Sequence, residues 1–165
     1  MTKHGSIRAC ALGASLVVVV ASCVAVEPAP SATIGAGPSD AAGAIAEFVR
    51  LADDARADAG CRAPLTWHDG VASVAQAHSD DMQRNDYYDH IDRAGRTPME
   101  RIQAAGIRVR AVAENIAQGQ PTGAVVFRGW MDSPGHRRNL LNCEYTHHGV
   151  GLAGRYWTHV LVRLR

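Results

Sequence analysis

Two histidines and one glutamate stand out because of the segments that hold them: His90, Glu114 and His136. His90 ends the polar run DYYDH, Glu114 lies in the apolar segment AENI, and His136 follows a glycine in SPGHR. A carboxylate with apolar neighbours has to be solvated or paired, because an isolated buried charge is costly. Two histidines and a carboxylate can bind a divalent cation or transfer protons in acid–base catalysis.

Each of these residues also has a plain structural interpretation. A loop histidine such as His90 commonly makes an ordinary surface hydrogen bond, and His136 fits a hydrogen bond at the start of a helix. Glu114 could brace the chain near Gly119. Their spacing does not by itself bring the three together, so the residues alone leave both interpretations open.

The apolar periodicity predicts the elements that would position these side chains. Helices followed by strands are typical of the α+β class. The predicted elements, in chain order, are a helix capped by Ser39 and ended by Gly60, a helix from Gly70 to about Asp86, a short helix opened by the capping box Thr97–Glu100 and ended by Gly106, a helix capped by Thr122, a helical turn from Ser133 to about Leu141, and strands at His147–Ala153 and Tyr156–Leu164.

Several further histidines and the tryptophans are expected to be structural. His78 falls on the apolar face of the second predicted helix, which favours a hydrogen-bonded core histidine. His147 and His148 are adjacent in a strand and point to opposite faces, so they do not clamp one ion together. The three tryptophans are expected to fill the core: Trp67, Trp130 and Trp157.

The first residues predict export. Lys3 and Arg8 precede an uncharged, largely apolar run, which is typical of a secretory signal peptide over residues 1–22. The run falls short of the ~20 strongly apolar residues of a spanning helix, so an uncleaved anchor is the second choice. The segment VASC, residues 20–23, resembles a lipoprotein signal, in which Cys23 becomes the acylated first residue. The alternative is ordinary secretion with an incidental Cys23. Residues 23–39 then form a flexible tether and residues 40–165 the domain.

Two cysteines fall inside that domain, Cys61 and Cys143. In an oxidising compartment such a pair predicts a disulfide, although paired metal or nucleophilic thiols are the alternative.

The formal charge of the whole chain is +1, with 17 basic and 16 acidic side chains. Such a balance disfavours a nucleic-acid partner.

Short motifs lie along the whole domain: LTW at 65–67, AHSDDM at 77–82, YDH at 88–90, ERI at 100–102, ENIA at 114–117, WM at 130–131, SPGHR at 133–137, GVG at 149–151 and YWT at 156–158. In this order and spacing they resemble the CAP superfamily of cysteine-rich secretory, antigen and pathogenesis-related proteins, in a bacterial secreted or lipoprotein form. The resemblance implies an α-β-α sandwich with a central cleft lined by two histidines and two acidic residues, which holds a divalent cation in some members. By motif, three of these positions fall on His90, Glu114 and His136.

The fourth position departs from the family pattern. The family acid follows the helix tryptophan by three residues, where this chain has Ser133, and Asp132 comes one residue early. Because a helix turns about 100° per residue, we expect Asp132 to point elsewhere unless the register shifts.

Two main function classes follow from the residues and the resemblance. The first is an extracytoplasmic binding module, lipid-anchored or secreted, whose cleft binds a lipid, cell-wall or protein ligand with or without Zn²⁺ or Mg²⁺. The second is a metal-assisted or histidine-based hydrolase that uses His90, Glu114 and His136. The chain has neither a His-Glu-x-x-His nor a Gly-x-Ser-x-Gly motif, which favours binding over catalysis. A structural envelope protein that merely uses the fold is the third interpretation.

Overall fold

The computed structural model describes residues 38–165. The predicted signal peptide, Cys23 and all but the end of the predicted tether lie outside the described residues. The elements in chain order are α1 (Pro38–Asp58), β1 (Thr66–Trp67), α2 (Asp69–Asn85), α3 (Pro98–Ala104), β2 (Val109–Gln118), α4 (Gly123–Asp132), α5 (Pro134–Leu141), β3 (His147–Ala153) and β4 (Tyr156–Leu164). None of the helices in this described part is long and apolar enough to span a membrane.

Four strands form one sheet in the order β1-β3-β4-β2, with β1 parallel to β3 and the other pairs antiparallel. The two predicted strands have the predicted bounds, as β3 and β4. The sequence pattern missed β2, so the expectation that all helices precede the strands is wrong. Residues 114–117 of β2 are buried in succession, and a strand covered on both faces lacks the alternation that identifies one.

Helices cover both faces of the sheet, which confirms the α-β-α sandwich. On one face α2 packs on β3 and β4, and α3 packs on β2; on the other, α1, α4 and α5 pack together and against the sheet. Alternate residues of β4 supply the two cores. Trp157 packs with Phe48 and Trp130, whereas Val160 and Val162 pack with Val71 of α2.

Two glycines of β3 allow α2 to lie directly on the sheet. A Cβ atom at Gly149 would be 2.1 Å from the backbone nitrogen of Ala72, and one at Gly151 would be 2.4 Å from the Cα of Gln76. Real Cβ atoms do not approach backbone this closely, and the helix cannot move away without opening the core. These two positions therefore fix the depth at which α2, with His78 on it, sits against the sheet.

The helix ends confirm most of the predicted caps. Thr97 and Glu100 form the predicted capping box of α3, and the hydroxyl of Thr122 accepts a hydrogen bond from Val125 at 3.2 Å. The predicted cap at Ser39 is wrong, because α1 begins one residue earlier, at Pro38, where proline's fixed φ suits a first helical turn. Trp67 corrects a second expectation, since 42% of its surface is exposed.

The predicted disulfide is present between Cys61 and Cys143, which are 82 residues apart. Closing a loop of that length stabilises the fold by roughly 4–5 kcal/mol in the chain-entropy model. Just before it, the buried guanidinium of Arg56 donates to the carbonyl oxygens of Leu140, Asn142 and Tyr145. The disulfide and Arg56 thus fasten the end of α1 to the segment between α5 and β3.

Candidate functional site

Glu114 of β2 lies at the centre of a buried polar cluster. Only 1% of its side chain is exposed, and both carboxylate oxygens have partners. Oε1 lies 2.9 Å from Nδ1 of His90, and Oε2 accepts a hydrogen bond of 2.6 Å from Nη2 of Arg101. The carboxylate that the sequence places among apolar neighbours is therefore paired with a guanidinium and an imidazole.

Three elements deliver the side chains of this cluster. Arg101 comes from α3, whose capping box fixes the helix start, and its Nη1 also donates to the carbonyl oxygens of His90 and Arg96. His90 lies in the loop after α2, and Asp89 stabilises that loop by accepting a hydrogen bond from the backbone of Ile91. Arg101 therefore holds both the carboxylate and the backbone of the histidine that contacts it.

The contact with Glu114 determines which nitrogen of His90 carries the proton. A carboxylate only accepts hydrogen bonds, so Nδ1 of His90 is the donor and, in the neutral ring, Nε2 keeps its lone pair. The His90 side chain is 46% exposed, in contrast to the buried glutamate. The arrangement is a carboxylate-oriented imidazole at the surface, which can bind a ligand donor or accept a proton.

His136 reaches the same edge of the sheet from the opposite face. Glu114 and Asn115 are consecutive in β2 and point to opposite faces, and Asn115 donates to the backbone carbonyl of His136 at 3.1 Å and accepts from Asn139 of α5 at 2.9 Å. Burial, and then the nearby charge of His90, lower the pKa of His136. The structure thus brings His90 against Glu114 and places His136 close enough to sense His90.

A cavity of about 310 Å³ opens beside His136. Its lining includes Tyr88, whose hydroxyl donates to the carbonyl of Ile116 at 2.9 Å, and Trp130, whose indole donates to the same oxygen at 3.0 Å. The buried Oε1 of Gln120, also in the lining, has no partner among the described residues. A cavity lined by aromatic residues and by a polar atom without a hydrogen-bond partner is typical of a small-ligand site.

Asp132 does not join this group. It is exposed at the end of α4, and the cavity beside His136 is lined by Ser133 instead. The helix turn from Trp130 explains the difference, because a residue two positions along points about 200° away while one three positions along returns toward the same side. The sequence-predicted set of His90, Glu114 and His136 is brought to one edge of the sheet, and Asp132 is not.

Glu114, as arranged, is not available as a ligand for a divalent cation. Both oxygens of Glu114 are engaged, one of them by the positive charge of Arg101, and across residues 38–165 no three His, Cys, Asp or Glu side chains are grouped as metal ligands. A cation at Glu114 would have to displace a guanidinium or a histidine that already satisfies the carboxylate. Binding of Zn²⁺ or Mg²⁺ elsewhere in the cleft stays a prediction that metal titration can test.

The sequence analysis named His90, Glu114 and His136 as candidates but not Arg101, which the structure places against Glu114. His78, expected in the core, is buried there: its Nε2 lies 3.0 Å from the carbonyl of Asp89 and 3.9 Å from Oε1 of Glu114. Burial lowers the pKa of His78 more than Glu114 raises it. The sequence could predict that Glu114 needs a positively charged partner. The chain spacing does not indicate which of the many arginines that partner is.

With the geometry established, the family follows from comparison with known proteins. Residues 49–159 match the family model described as CAP, the cysteine-rich secretory protein family. The match covers most of the domain, including all three candidate residues. The chain belongs to this family.

Two curated relatives and one solved structure agree with that assignment. The chain is 35% identical over 128 residues to the uncharacterized protein YkwD of Bacillus subtilis (strain 168), covering 76% of this chain and 49% of that protein. It is 36% identical over 101 residues to the uncharacterized membrane protein YlbC of the same organism, covering 61% and 29%. The chain therefore spans about half or less of the length of these relatives.

The solved structure is the crystal structure of an extracellular protein containing a SCP domain from Bacillus anthracis str. Ames. It superposes with a TM-score of 0.68 at 32% sequence identity, over 72% of this chain and 39% of that one. The shared part is the sandwich of helices around the four-stranded sheet.

Proposed function

We propose that the protein is an extracytoplasmic binding module whose cleft engages a ligand at the cell surface through His90 and His136. The observation that carries the proposal is the pairing of Glu114 with Arg101. A buried carboxylate that is already neutralised by a guanidinium serves to position His90, and it is not free to act as a metal ligand or a nucleophile.

The cleft favours a ligand that makes hydrogen bonds. His90 offers an exposed imidazole and His136 a half-buried one, and the lining of the neighbouring cavity includes the side-chain amide oxygen of Gln120, which has no partner among the described residues. The exposed aromatic ring of Tyr88 suits the ring of a sugar or the plane of a peptide bond. Among lipid, cell-wall and protein ligands, this chemistry favours a cell-wall fragment, either glycan or peptide.

The location rests on the sequence before the domain and on one solved relative. The Bacillus anthracis protein is described as extracellular, and the predicted signal with Cys23 would deliver this domain outside the cytoplasm, anchored by acyl chains. Mass spectrometry of the mature N-terminus tests the anchor. We expect an acylated Cys23 that is lost in Cys23→Ser, whereas an unmodified N-terminus elsewhere would contradict anchoring and leave ordinary secretion.

The binding proposal is tested by calorimetric titration of soluble peptidoglycan fragments into the protein. We expect saturable binding that falls at least about tenfold in His90→Ala and in His136→Ala, because each removes a hydrogen-bonding group. His147→Ala is the matched control, since it removes a histidine whose ring contacts Thr146 and does not line the cavity. Equal binding by all three variants would contradict the proposal.

A hydrolase is the second candidate, supported by the Glu114–His90 pair. A carboxylate that fixes the tautomer of an imidazole leaves Nε2 able to take a proton from water, as a general base does. Among residues 38–165, however, no Ser or Thr hydroxyl makes a hydrogen bond to the ring of His90 or His136. Product release from the bound fragments that disappears in His90→Ala would favour hydrolysis. Bound fragments that stay intact would favour binding alone.

A further inference from the structure

A second and larger cavity, of about 540 Å³, lies between the C-terminal half of α2 and the segment that leads into α3. His78 and Arg84 line it from α2, Arg93 and Arg96 line it from the loop, and Arg101 lines it from α3. His90, Glu114 and His136 are not in its lining. It is therefore a different space from the cleft discussed above, although Arg101, which lines it, also contacts Glu114.

The charges around this cavity do not balance. Its lining contains four guanidinium groups, at positions 84, 93, 96 and 101, and two carboxylates, Asp81 and Asp92. Asp92 accepts hydrogen bonds from Arg96 and two backbone amides, and Asp81 accepts from Asn85 and Tyr87. Asp92 is thus paired with a guanidinium, whereas Asp81 accepts only from neutral groups and keeps its negative charge.

Two of the four guanidinium groups are also used and two are not. Arg96 pairs with Asp92, and Arg101 pairs with Glu114. Arg93 donates only to the neutral side-chain oxygen of Asn85, at 2.6 Å. Within residues 38–165, neither Arg84 nor Arg93 has a carboxylate partner. These two guanidinium groups outnumber the one lining carboxylate without an ion pair, Asp81, so a net positive charge remains at the cavity and attracts an anion.

Two residues that line the cavity, His78 and Arg101, each have a buried side-chain nitrogen that makes no hydrogen bond within the described residues. The two nitrogens are Nε of Arg101 and Nδ1 of His78. Because the Nε2–H of His78 donates to the carbonyl of Asp89, Nδ1 of the neutral ring is an acceptor, whereas Nε–H of Arg101 is a donor. An unmade hydrogen bond at a buried polar atom is destabilising, so a group that both donates and accepts would stabilise these two side chains after they move slightly toward it.

We propose that this cavity binds a small anion that carries hydroxyl groups, such as a sugar phosphate or a sugar acid. The phosphate or carboxylate would pair with Arg84 and Arg93, which present donors in the fork geometry that such oxygens accept. A hydroxyl group is both donor and acceptor and would serve His78 and Arg101. The proposal is independent of the ligand of the His90 cleft.

Calorimetric or NMR titration of four probes into the protein tests this assignment. Glucose 6-phosphate and glucuronate carry both features, inorganic phosphate carries only the charge, and glucose carries only the hydroxyls. We expect saturable binding of at least one of the first two, tighter than either single-feature probe and weakened by added salt. Absence of saturable binding by both would overturn the proposal, and phosphate binding equally well would overturn its hydroxyl part.

Variants locate the binding. Arg84→Gln/Arg93→Gln removes the two exposed guanidinium groups that have no ion pair within residues 38–165, and we expect it to weaken binding of the sugar anion at least about tenfold. Arg50→Gln, on α1, removes one exposed positive charge elsewhere and should leave binding unchanged. His90→Ala should also leave it unchanged, which separates this site from the cleft. Equal weakening by Arg50→Gln would show general charge attraction and overturn the site.

Discussion

Two buried arginines on opposite sides of the sheet have different kinds of hydrogen-bond partner. Arg101, 7% exposed, pairs with the carboxylate of Glu114. Arg56, 2% exposed, donates to three backbone carbonyl oxygens and makes no ion pair within residues 38–165. Carbonyl dipoles satisfy the hydrogen bonds of a guanidinium but leave its full positive charge acting on the neighbourhood, whereas a carboxylate cancels it.

The histidines near each arginine show the consequence. His90 contacts Glu114, so a carboxylate is its immediate partner. His148 and His159 lie 3.1 Å apart, nitrogen to nitrogen, with Arg56 as a positive neighbour. Burial, then Arg56, lower the pKa of His148 to about 4, and burial with the charges of His148 and Arg56 holds the pKa of His159 well below its usual value. Arg101 is paired with the carboxylate that contacts His90. Burial, together with the charge of Arg56, favours the neutral form of His148 and His159.

The largest effect should come from breaking the Arg101–Glu114 pair. Arg101→Met leaves a buried, uncompensated carboxylate, and we expect it to lower the free energy of unfolding by about 3–5 kcal/mol. Arg101→Met/Glu114→Gln removes both charges and should recover part of that loss. Urea unfolding at neutral pH measures both. A double variant as unstable as the sum of the two single variants would show that the pair itself contributes nothing.

The next effect is a pH dependence from the His148–His159 pair. Both folded-state pKa values are lowered, so the unfolded chain binds more protons below pH 6.5, and stability is lost as the pH falls from about 6.5 toward 4. For His148 alone the shift corresponds to about 3 kcal/mol, at ~1.4 kcal/mol per unit. Unfolding free energies of the wild type and of His148→Leu/His159→Leu, measured over this range, test it. The double variant should show a shallower decline, and parallel curves would contradict this origin.

A smaller effect is expected at the exposed partner of Glu114. His90→Ala removes one hydrogen bond, but Arg101 still neutralises the carboxylate and water can reach the vacated position, so we expect a loss of at most about 1 kcal/mol. The same urea titration compares this variant with Arg101→Met. A loss as large as that of Arg101→Met would mean that His90 stabilises the fold as much as Arg101 does, which would contradict the expected order.

The smallest effect is expected for an arginine that is neither buried nor confined. Arg50 pairs with Asp54 one turn along α1, at 2.9 Å, with both side chains 65% exposed. Arg50→Ala should change the free energy of unfolding by less than about 0.5 kcal/mol, and added salt should reduce even that. A change above 1 kcal/mol would show that exposure does not explain why Arg50 contributes less to stability than Arg101.

The sequence predicted the helices and the two long central strands well because their patterns are local. The capping box at Thr97 and the strand bounds at His147–Ala153 and Tyr156–Leu164 are correct. It failed at β2, where burial on both faces removes the alternation, and at Trp67, where an aromatic side chain is left half in solvent. Both failures come from the neighbours that an element acquires in the folded state.

For the site, the sequence by itself determined which groups needed partners. A glutamate among apolar residues must be paired, and an even pair of cysteines in the domain predicts a disulfide, which Cys61 and Cys143 form. The tertiary structure decided what those partners are. Arg101 lies 13 residues from Glu114, and His148 lies 11 from His159. The packing of α3 on β2 and the register of β3 with β4 bring these pairs together, and chain spacing specifies neither.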